Sequence, residues 1–491
     1  MNKFFLFSVF ICCCFFTKAQ HPEAKRATHW YFGNGAGLDF SSGSPVAITD
    51  GKHDSWESCA SISDINGNLL FYTDGDTIWD KNHQVMPNGT GLYGSCVPPG
   101  PNNSATQGVI IIPQPNSATI FYVFTIDCAE NLGARGMNYT IVDISLNAGF
   151  GDVTVKNQFL FAPSTEGMAA TMNCTRDSIW VVGHEYGTDA FYAYLITENG
   201  LNTSPVVSNV GLPINYFFGQ IKFSPNGKRI VSNGGYEIFD FSSQNGIISN
   251  PITINGGGYG ISFSPNSELI YLCSGGNIIY SLNITYNNQT DIFNSFESIY
   301  IGPNNREYFG LQLSNDNKIY IAAIDTSKIS KIDFPNNSGI AANFNPYSVD
   351  LNGRKSQFTF PSFIENYFDQ TYNPDSCTYD TLPTPPTDTI TQKTDTLLIP
   401  NVFTPNGDDI NDVFSVTLNG YENVAWKIYN RWGSELKSGE LKIENEERME
   451  LWNGRTNVGE KVPDGTYYYI INLTKKGSKQ ETKKGFIQIL H

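Results

Sequence analysis

Two stretches of this chain are near copies of each other, IKFSPNGKRIVSN at 221–233 and ISFSPNSELIYL at 261–272. Each is an alternating apolar strand, a turn of Ser, Pro, Asn or Gly, and a second apolar strand, which is the pattern of a β-hairpin. Looser copies are ASISDINGNLLFYTD (60–74), VIIIPQPNSATIFYVF (109–124), MAATMNCTRDSIWVV (168–182) and LQLSNDNKIYIAA (311–323). The turn markers Asn66, Asn116, Arg176, Asn226, Asn266 and Asp316 follow one another at intervals of 50, 60, 50, 40 and 50 residues. Four hairpins are followed by a further apolar strand, at FYAYLI (191–196), YEIFDF (236–241), IIYSLNI (278–284) and KISKIDF (328–334). The unit is too long for leucine-rich repeats, and no 3.6-residue apolar periodicity supports a helical solenoid.

A spacing of roughly 40–50 residues with three or four strands per unit is the period of propeller blades. The FSPNG-type hairpin also resembles the blade signature of WD-like and related propellers. HWYFGNGAGLDFSSG (29–43) has the pattern of the later strands of a blade, and SQFTFPSFIENYF (356–368) that of an earlier strand. Pairing strands from the two ends within one blade hides the open edge of the ring. Six internal units and one shared blade predict an all-β, seven-bladed propeller over residues 20–370, with six to eight blades as the range.

Composition agrees with this class. Phe (33), Tyr (26) and Gly (45) are abundant and charged residues make up 16%, which suits sheets joined by tight turns. Residues 1–19 read as a secretory signal peptide: Lys3, the apolar FFLFSVFICCCFF (4–16), and Ala19 before a cut at Gln20. The rival, a lipoprotein signal at Cys12, Cys13 or Cys14, lacks the small residue a lipobox wants, because Ile11 precedes the first of them. No other apolar run approaches the roughly 20 residues of a membrane helix, so no transmembrane span is expected. Of the total charge of −16, residues 1–19 carry +2 and residues 399–491 carry −1, which leaves −17 on residues 20–398. A body this acidic repels nucleic acid and anionic membranes.

Six cysteines follow the signal: Cys59, Cys96, Cys128, Cys174, Cys273 and Cys377. None forms a CxxC pair, so zinc or redox chemistry has little support, while disulfides and buried thiols both remain open. His184-Glu185 begins like a zinc-protease motif but lacks the second His, and VVGHEYG (181–187) reads as a strand ending. No catalytic residue stands out. Asp74, Asp76 and Asp80 are weaker acidic candidates, and the aromatic INYFFGQ (214–220) and REYFGLQ (306–312) read as blade packing before carbohydrate stacking.

Residues 371–398 are rich in Thr, Pro and Asp and read as an extended linker. Asp380-Thr381-Leu382, Asp388-Thr389-Ile390 and Asp395-Thr396-Leu397 resemble O-glycosylation acceptors of Bacteroidota, which makes Thr381, Thr389 and Thr396 candidate glycan sites. Beyond them stand LLIPNVFTPNGDDINDVFSV (397–416), WKIYNRWGSELKSG (426–439), LWNGRTNVGEKVPDGTYYYIINL (451–473) and GFIQILH (485–491). In order and spacing these resemble the type B, gliding-motility-associated C-terminal sorting domain of type IX secretion cargo in Bacteroidota. The matching positions are Pro400, Asn401, Phe403, Pro405, Asn406, Gly407, Asn430, Arg431, Trp432, Gly433, Gly454, Pro463, Asp464, Gly465 and Tyr467. Asp409 stands where the family often has Gly. The strands of residues 399–491 predict a small immunoglobulin-like sandwich of about seven strands, and the Tyr run at 467–469 resembles a tyrosine corner. Asn406, Asp408, Asp409, Asn411 and Asp412 gather hard oxygen ligands in one loop, as calcium prefers, although Asx side chains also build such loops by bonding their own backbone. No other cofactor is expected.

The resemblance implies Sec export followed by passage through the type IX machinery, to the medium or the outer surface. For the propeller, the scarcity of His and the lack of a catalytic signature favour a binding or adhesion module for an extracellular glycan or protein. The alternative is a secreted propeller enzyme of lyase, glycosidase or lactonase type. Carboxylates or His meeting at the channel mouth would favour the enzyme, and an aromatic, uncharged face would favour binding.

Overall fold

Every hairpin repeat becomes the first two strands of its own antiparallel sheet. The computed structural model describes residues 21–94, 96, 104–232, 237–254, 258–273, 276–303, 307–372, 397–398, 402–405, 412–418, 421–430, 433–443, 447–475 and 481–489. The chain divides into two compact units, Met1–Thr381 and Leu382–His491.

The first unit holds seven sheets among the described residues. Blade 1 comprises His29–Phe32, Ala36–Asp39 and Val46–Ile48, and blade 2 comprises Ala60–Ser63, Leu69–Thr73 and Ile78–Asp80. The first strands of blades 3 to 7 are Val109–Pro113, Ser164–Met172, Ile221–Phe223, Gly260–Phe263 and Leu311–Leu313. First strands of successive blades are spatial neighbours, so the sheets stand around a common axis as a seven-bladed propeller. No helix among the described residues is long and apolar enough to cross a membrane.

The turn markers fall at the same hairpin turn of their blades, to within one residue. Ser224 Oγ accepts Arg229 N–H (3.0 Å) and donates to Asn226 Oδ1 (2.8 Å), which accepts Lys228 N–H (3.1 Å). Ser264 and Asn266 repeat this cage in blade 6, and in blade 7 Asp316 Oδ1 accepts both the Ser314 hydroxyl and Lys318 N–H. One residue in each hairpin turn has left-handed φ: Gly67, Asn116, Arg176, Gly227, Ser267 and Asn317. In blades 6 and 7 the side-chain cage helps offset that backbone cost at Ser267 and Asn317. Between blades the alternate strand residues interlock. Trp180, Phe191, Phe223, Phe239 and Phe241, for example, fill the seam of blades 4 and 5.

The two ends of the propeller unit meet as expected, in a looser form. Asn34 bridges Lys355, Phe358 N–H bonds to Trp56 O (2.9 Å), and Gly310 N–H bonds to Phe358 O (2.7 Å). Residues 355–359 thus stand where an inner strand of blade 1 belongs, between the approaches to blades 2 and 7. They make bridges and single bonds but no regular strand, and the expected strand over 356–368 is corrected to that extent. Pro361 denies the segment a ladder donor, and the chain turns instead into a short 3-10 helix, Glu365–Phe368. Trp30 seals the seam: its ring packs on Phe40, Tyr320, Phe360 and Phe363 with centroids 5.0–5.8 Å away.

The second unit has a three-stranded sheet (Leu397–Leu398, Phe414–Leu418, Glu447–Trp452) and a five-stranded one. The five-stranded sheet is ordered Val402–Phe403, Glu481–Ile489, Gly465–Lys475, Tyr421–Tyr429, Glu435–Lys442. One core, including Phe403, Phe414, Trp426, Trp452, Tyr467 and Ile487, is drawn from both sheets, so they pack face to face as a sandwich. Eight strands are described, against about seven expected.

Candidate functional site

The residues leading into the first strands all lie at one end of the propeller axis, and there polar side chains from several blades converge. Glu166, buried at the start of blade 4, accepts Thr106 N–H (3.0 Å) and Thr106 Oγ–H (2.7 Å) on Oε2, and Ala129 N–H (2.7 Å) on Oε1. Glu57, three residues ahead of blade 2, accepts the hydroxyl of Tyr259, which precedes blade 6 on the far side of the ring. Ser104 Oγ lies 3.2 Å from Glu57 Oε2 and 3.1 Å from Glu130 Oε1.

One hydroxyl proton cannot serve both carboxylates. Burial, and then the Glu166 charge, push Glu57 up to about 8, so at neutral pH Glu57 carries a proton and donates to Ser104, which donates to Glu130. Burial also raises Glu166, to about 6, against the pull of its three donors. Around this floor the same end of the ring carries aromatic side chains. Trp56 is 45% exposed and stacks beside Phe358; Tyr216 and Phe218, ahead of blade 5, are 56% and 58% exposed; Phe217 between them stacks on Tyr186 at 3.8 Å.

Farther along the axis polar side chains knit the inner strands together. Gln107 Oε1 accepts Ile221 N–H (2.7 Å) and Met168 N–H (3.2 Å), and Gln220 Oε1 accepts Ile261 N–H (2.8 Å). Lys222 Nζ reaches Glu365 Oε1 (2.7 Å) and Gln312 Oε1 (2.5 Å). Asn366 closes the far end by accepting Met172 N–H (2.6 Å) and Thr171 Oγ–H (2.7 Å). Beside that end lies a cleft of ≈ 840 Å³, in which the Arg176 guanidinium covers the Tyr372 ring at 4.6 Å.

Other sequence candidates take structural places. His184 ends a strand, buried edge-on against Phe191, and burial lowers it to about 4. Asp74 Oδ1 accepts Asp76 N–H and Thr77 N–H, and Asp80 Oδ1 accepts Asn82 N–H and Gln84 N–H, so both acids organise turns. In REYFGLQ, Tyr308 and Phe309 are buried as packing, whereas INYFFGQ supplies the exposed Tyr216 and Phe218. Cys96 and Cys128 form a disulfide, Cys174 is also disulfide-bonded, and Cys59 is a buried thiol.

In the sandwich the sorting-motif residues serve the fold. Phe403 is buried against Trp452, and Pro405 Cγ lies 3.2 Å from the space above Gly454, whose φ is +73°. Asn430 Oδ1 accepts Ser434 N–H (2.9 Å) across the turn in which Gly433 takes φ +82°. Pro463 and Asp464 lead into Gly465, which opens its strand, and Tyr467 Oη donates to Pro463 O at 2.7 Å, the expected corner. Pro400, Asn401, Asn406, Gly407, Arg431 and Trp432 lie outside the described residues, as do Asp408, Asp409 and Asn411 of the acidic loop. Residues 1–19, Cys377 and the acceptors Thr381, Thr389 and Thr396 lie outside them too; Asp412 is described and half-buried.

Sequence reasoning had not singled out Glu57, Glu166 or Tyr259. The signal was available: each stands at or within a few residues of the start of a regular inner-strand pairing, at one end of the ring.

No curated protein matches the chain. Solved structures similar to it include a functionally unknown protein from Desulfotomaculum acetoxidans (13% identity, 66% of this chain and 94% of that one, TM-score 0.36). Another is a quinonprotein alcohol dehydrogenase-like protein from Bacteroides thetaiotaomicron (14%, 69% and 78%, TM-score 0.38). A third is a dihydro-heme d1 dehydrogenase (12%, 90% and 76%, TM-score 0.37). Residues 397–489 match the CHU_C family, described as the CHU_C Type IX secretion signal domain. The chain therefore carries a type IX secretion signal domain at its C-terminal end and is cargo that the type IX system secretes or places on the cell surface.

Proposed function

We propose that the propeller is an extracellular binding module that takes a glycan on the end of the ring bearing Trp56, Tyr216 and Phe218. In this reading residues 1–19 direct Sec export, the sandwich is immunoglobulin-like, and the type IX signal delivers the propeller to its ligand. The observation that carries it is the pairing of exposed rings with a polar floor whose carboxylates already have protein partners. Flat rings stack on sugar faces, and hydroxyls such as that of Ser104 exchange hydrogen bonds with sugar hydroxyls.

A second reading, a propeller glycosidase or lyase, draws on one observation. Glu57 is held protonated at neutral pH beside a second carboxyl, as a general acid would be. One experiment separates the two. The purified full chain is screened on polysaccharides for binding and for product, with Glu57→Gln and a Trp56→Ala/Phe218→Ala variant. Binding expects retention by Glu57→Gln and a loss of about tenfold or more in the ring variant. Product release abolished by Glu57→Gln would overturn binding in favour of catalysis.

A further inference from the structure

The described sorting-motif residues are spent on the interior and turns of the sandwich, so whatever reads this domain must touch other side chains. Along Val424–Ile428 and Tyr467–Leu473 the side chains of the five-stranded sheet alternate between its two faces. Tyr467, Ile471 and Leu473 point into the core, and so do Trp426, Ile428 and Ile487, which leaves Tyr468, Phe486 and Lys427 on the opposite face. Strand register places Tyr429 opposite Tyr468, and Tyr468 opposite Phe486, a row of three rings across three adjacent strands. In the next row Lys427 stands opposite Ile470, and Ile470 opposite Lys484. Tyr468 is 49% and Phe486 50% exposed, whereas Phe403, Phe414, Trp426 and Trp452 of the same unit are buried.

We propose that this outward row, Tyr429–Tyr468–Phe486 with Lys427 and Lys484 beside it, is the surface through which a protein of the type IX export apparatus grips the domain. The partner is one that offers an apolar groove bordered by carboxylates. Charge supports that occupant. The row beside the rings carries Lys427 and Lys484 on either side of Ile470, so cations border the rings in a chain whose total charge is −16. Adjacent exposed rings are costly to leave in water and are the commonest anchors of protein interfaces.

The test is export of the full chain from a host with a type IX system, measured as the ratio of extracellular to cell-retained protein. Tyr468→Thr/Phe486→Thr keeps strand-favouring residues and is expected to lower that ratio about tenfold or more. Tyr468→Phe keeps the ring and is expected to export normally, as is Glu450→Ser, an exposed position on the other sheet. Normal export of the folded Thr variant would overturn the proposal. If the Thr variant does not fold, Lys427→Glu/Lys484→Glu decides: reduced export supports the surface and unchanged export overturns it. Normal export combined with a changed oligomeric state in the Thr variant would assign the face to a second copy of this chain, and would equally overturn the proposal.

Discussion

Lys222 Nζ lies 2.7 Å from Glu365 Oε1 inside the propeller, with both side chains almost wholly buried. The two residues are 143 positions apart, so the ion pair fastens the inner strand of blade 5 to the terminal plug that follows blade 7. A buried pair adds little over a well-packed apolar pair, because desolvation offsets the attraction, but one partner without the other is expensive.

Lys222→Met should therefore destabilise the propeller by about 3–5 kcal/mol, by leaving the Glu365 carboxylate buried without its cation. The double variant Lys222→Met/Glu365→Gln should recover much of that loss. Urea unfolding of the four members of the cycle checks both statements. A double variant as unstable as the sum of the singles would mean that the two residues act separately.

The closing seam has its own weak point. Trp30 touches the rings of Phe40, Tyr320, Phe360 and Phe363 together, joining blade 1 to blade 7 and to the terminal segment. Trp30→Ala should cost about 3–5 kcal/mol through the cavity it leaves. Removing residues 20–45 takes away most of blade 1 and should cause aggregation, read by light scattering. A folded, monomeric truncation would contradict this closure.

The hairpins were legible because Ser-Pro-Asn turns and period-2 strands are local signals, and a turn cage such as Ser224–Asn226 is built from residues adjacent in sequence. The seam was half legible. Aromatic strand patterns near Trp30 and Phe360 predicted that the ends meet, but the effect of Pro361 on the ladder depends on neighbours hundreds of residues away. That Glu57, Glu166 and Tyr259 stand at the start of inner strands was legible from position, but their convergence was not, since it requires knowing which blades face each other across the axis. In the sandwich the motif positions were legible as a label, yet only the fold shows that Tyr467 is inward and Tyr468 outward.

Tyr467 tests that distinction on stability. Tyr467→Phe removes the hydroxyl that donates to Pro463 O at 2.7 Å and leaves the ring in the core. The sandwich should lose about 1–2 kcal/mol, with the propeller's transition unmoved. Differential scanning calorimetry of the full chain reads both events. A shift of the propeller transition, or none in the sandwich, would contradict a local role for this bond.

Glu57 makes the fold sensitive to pH in a direction that can be fixed in advance. Burial and the Glu166 charge raise it from an ordinary 4.5 to about 8 in the folded chain. Between those values the folded state holds a proton that the unfolded state has released, so stability falls as pH rises. The contribution is fully present below pH 4.5, declines through the window up to about 8, and is lost above it. Its slope is of order 1 kcal/mol per pH unit. Glu166, raised to about 6, adds the same sign over the lower part of that range. Glu57→Gln keeps a donor for Ser104 and cannot ionise, so the wild-type decline between pH 6 and 8 should flatten in the variant. Urea midpoints of the propeller transition, taken across that range for both proteins, give the comparison. Equal slopes would mean that Glu57 is ionised in the folded protein, and with that the directed chain from Glu57 through Ser104 to Glu130 would have to be abandoned.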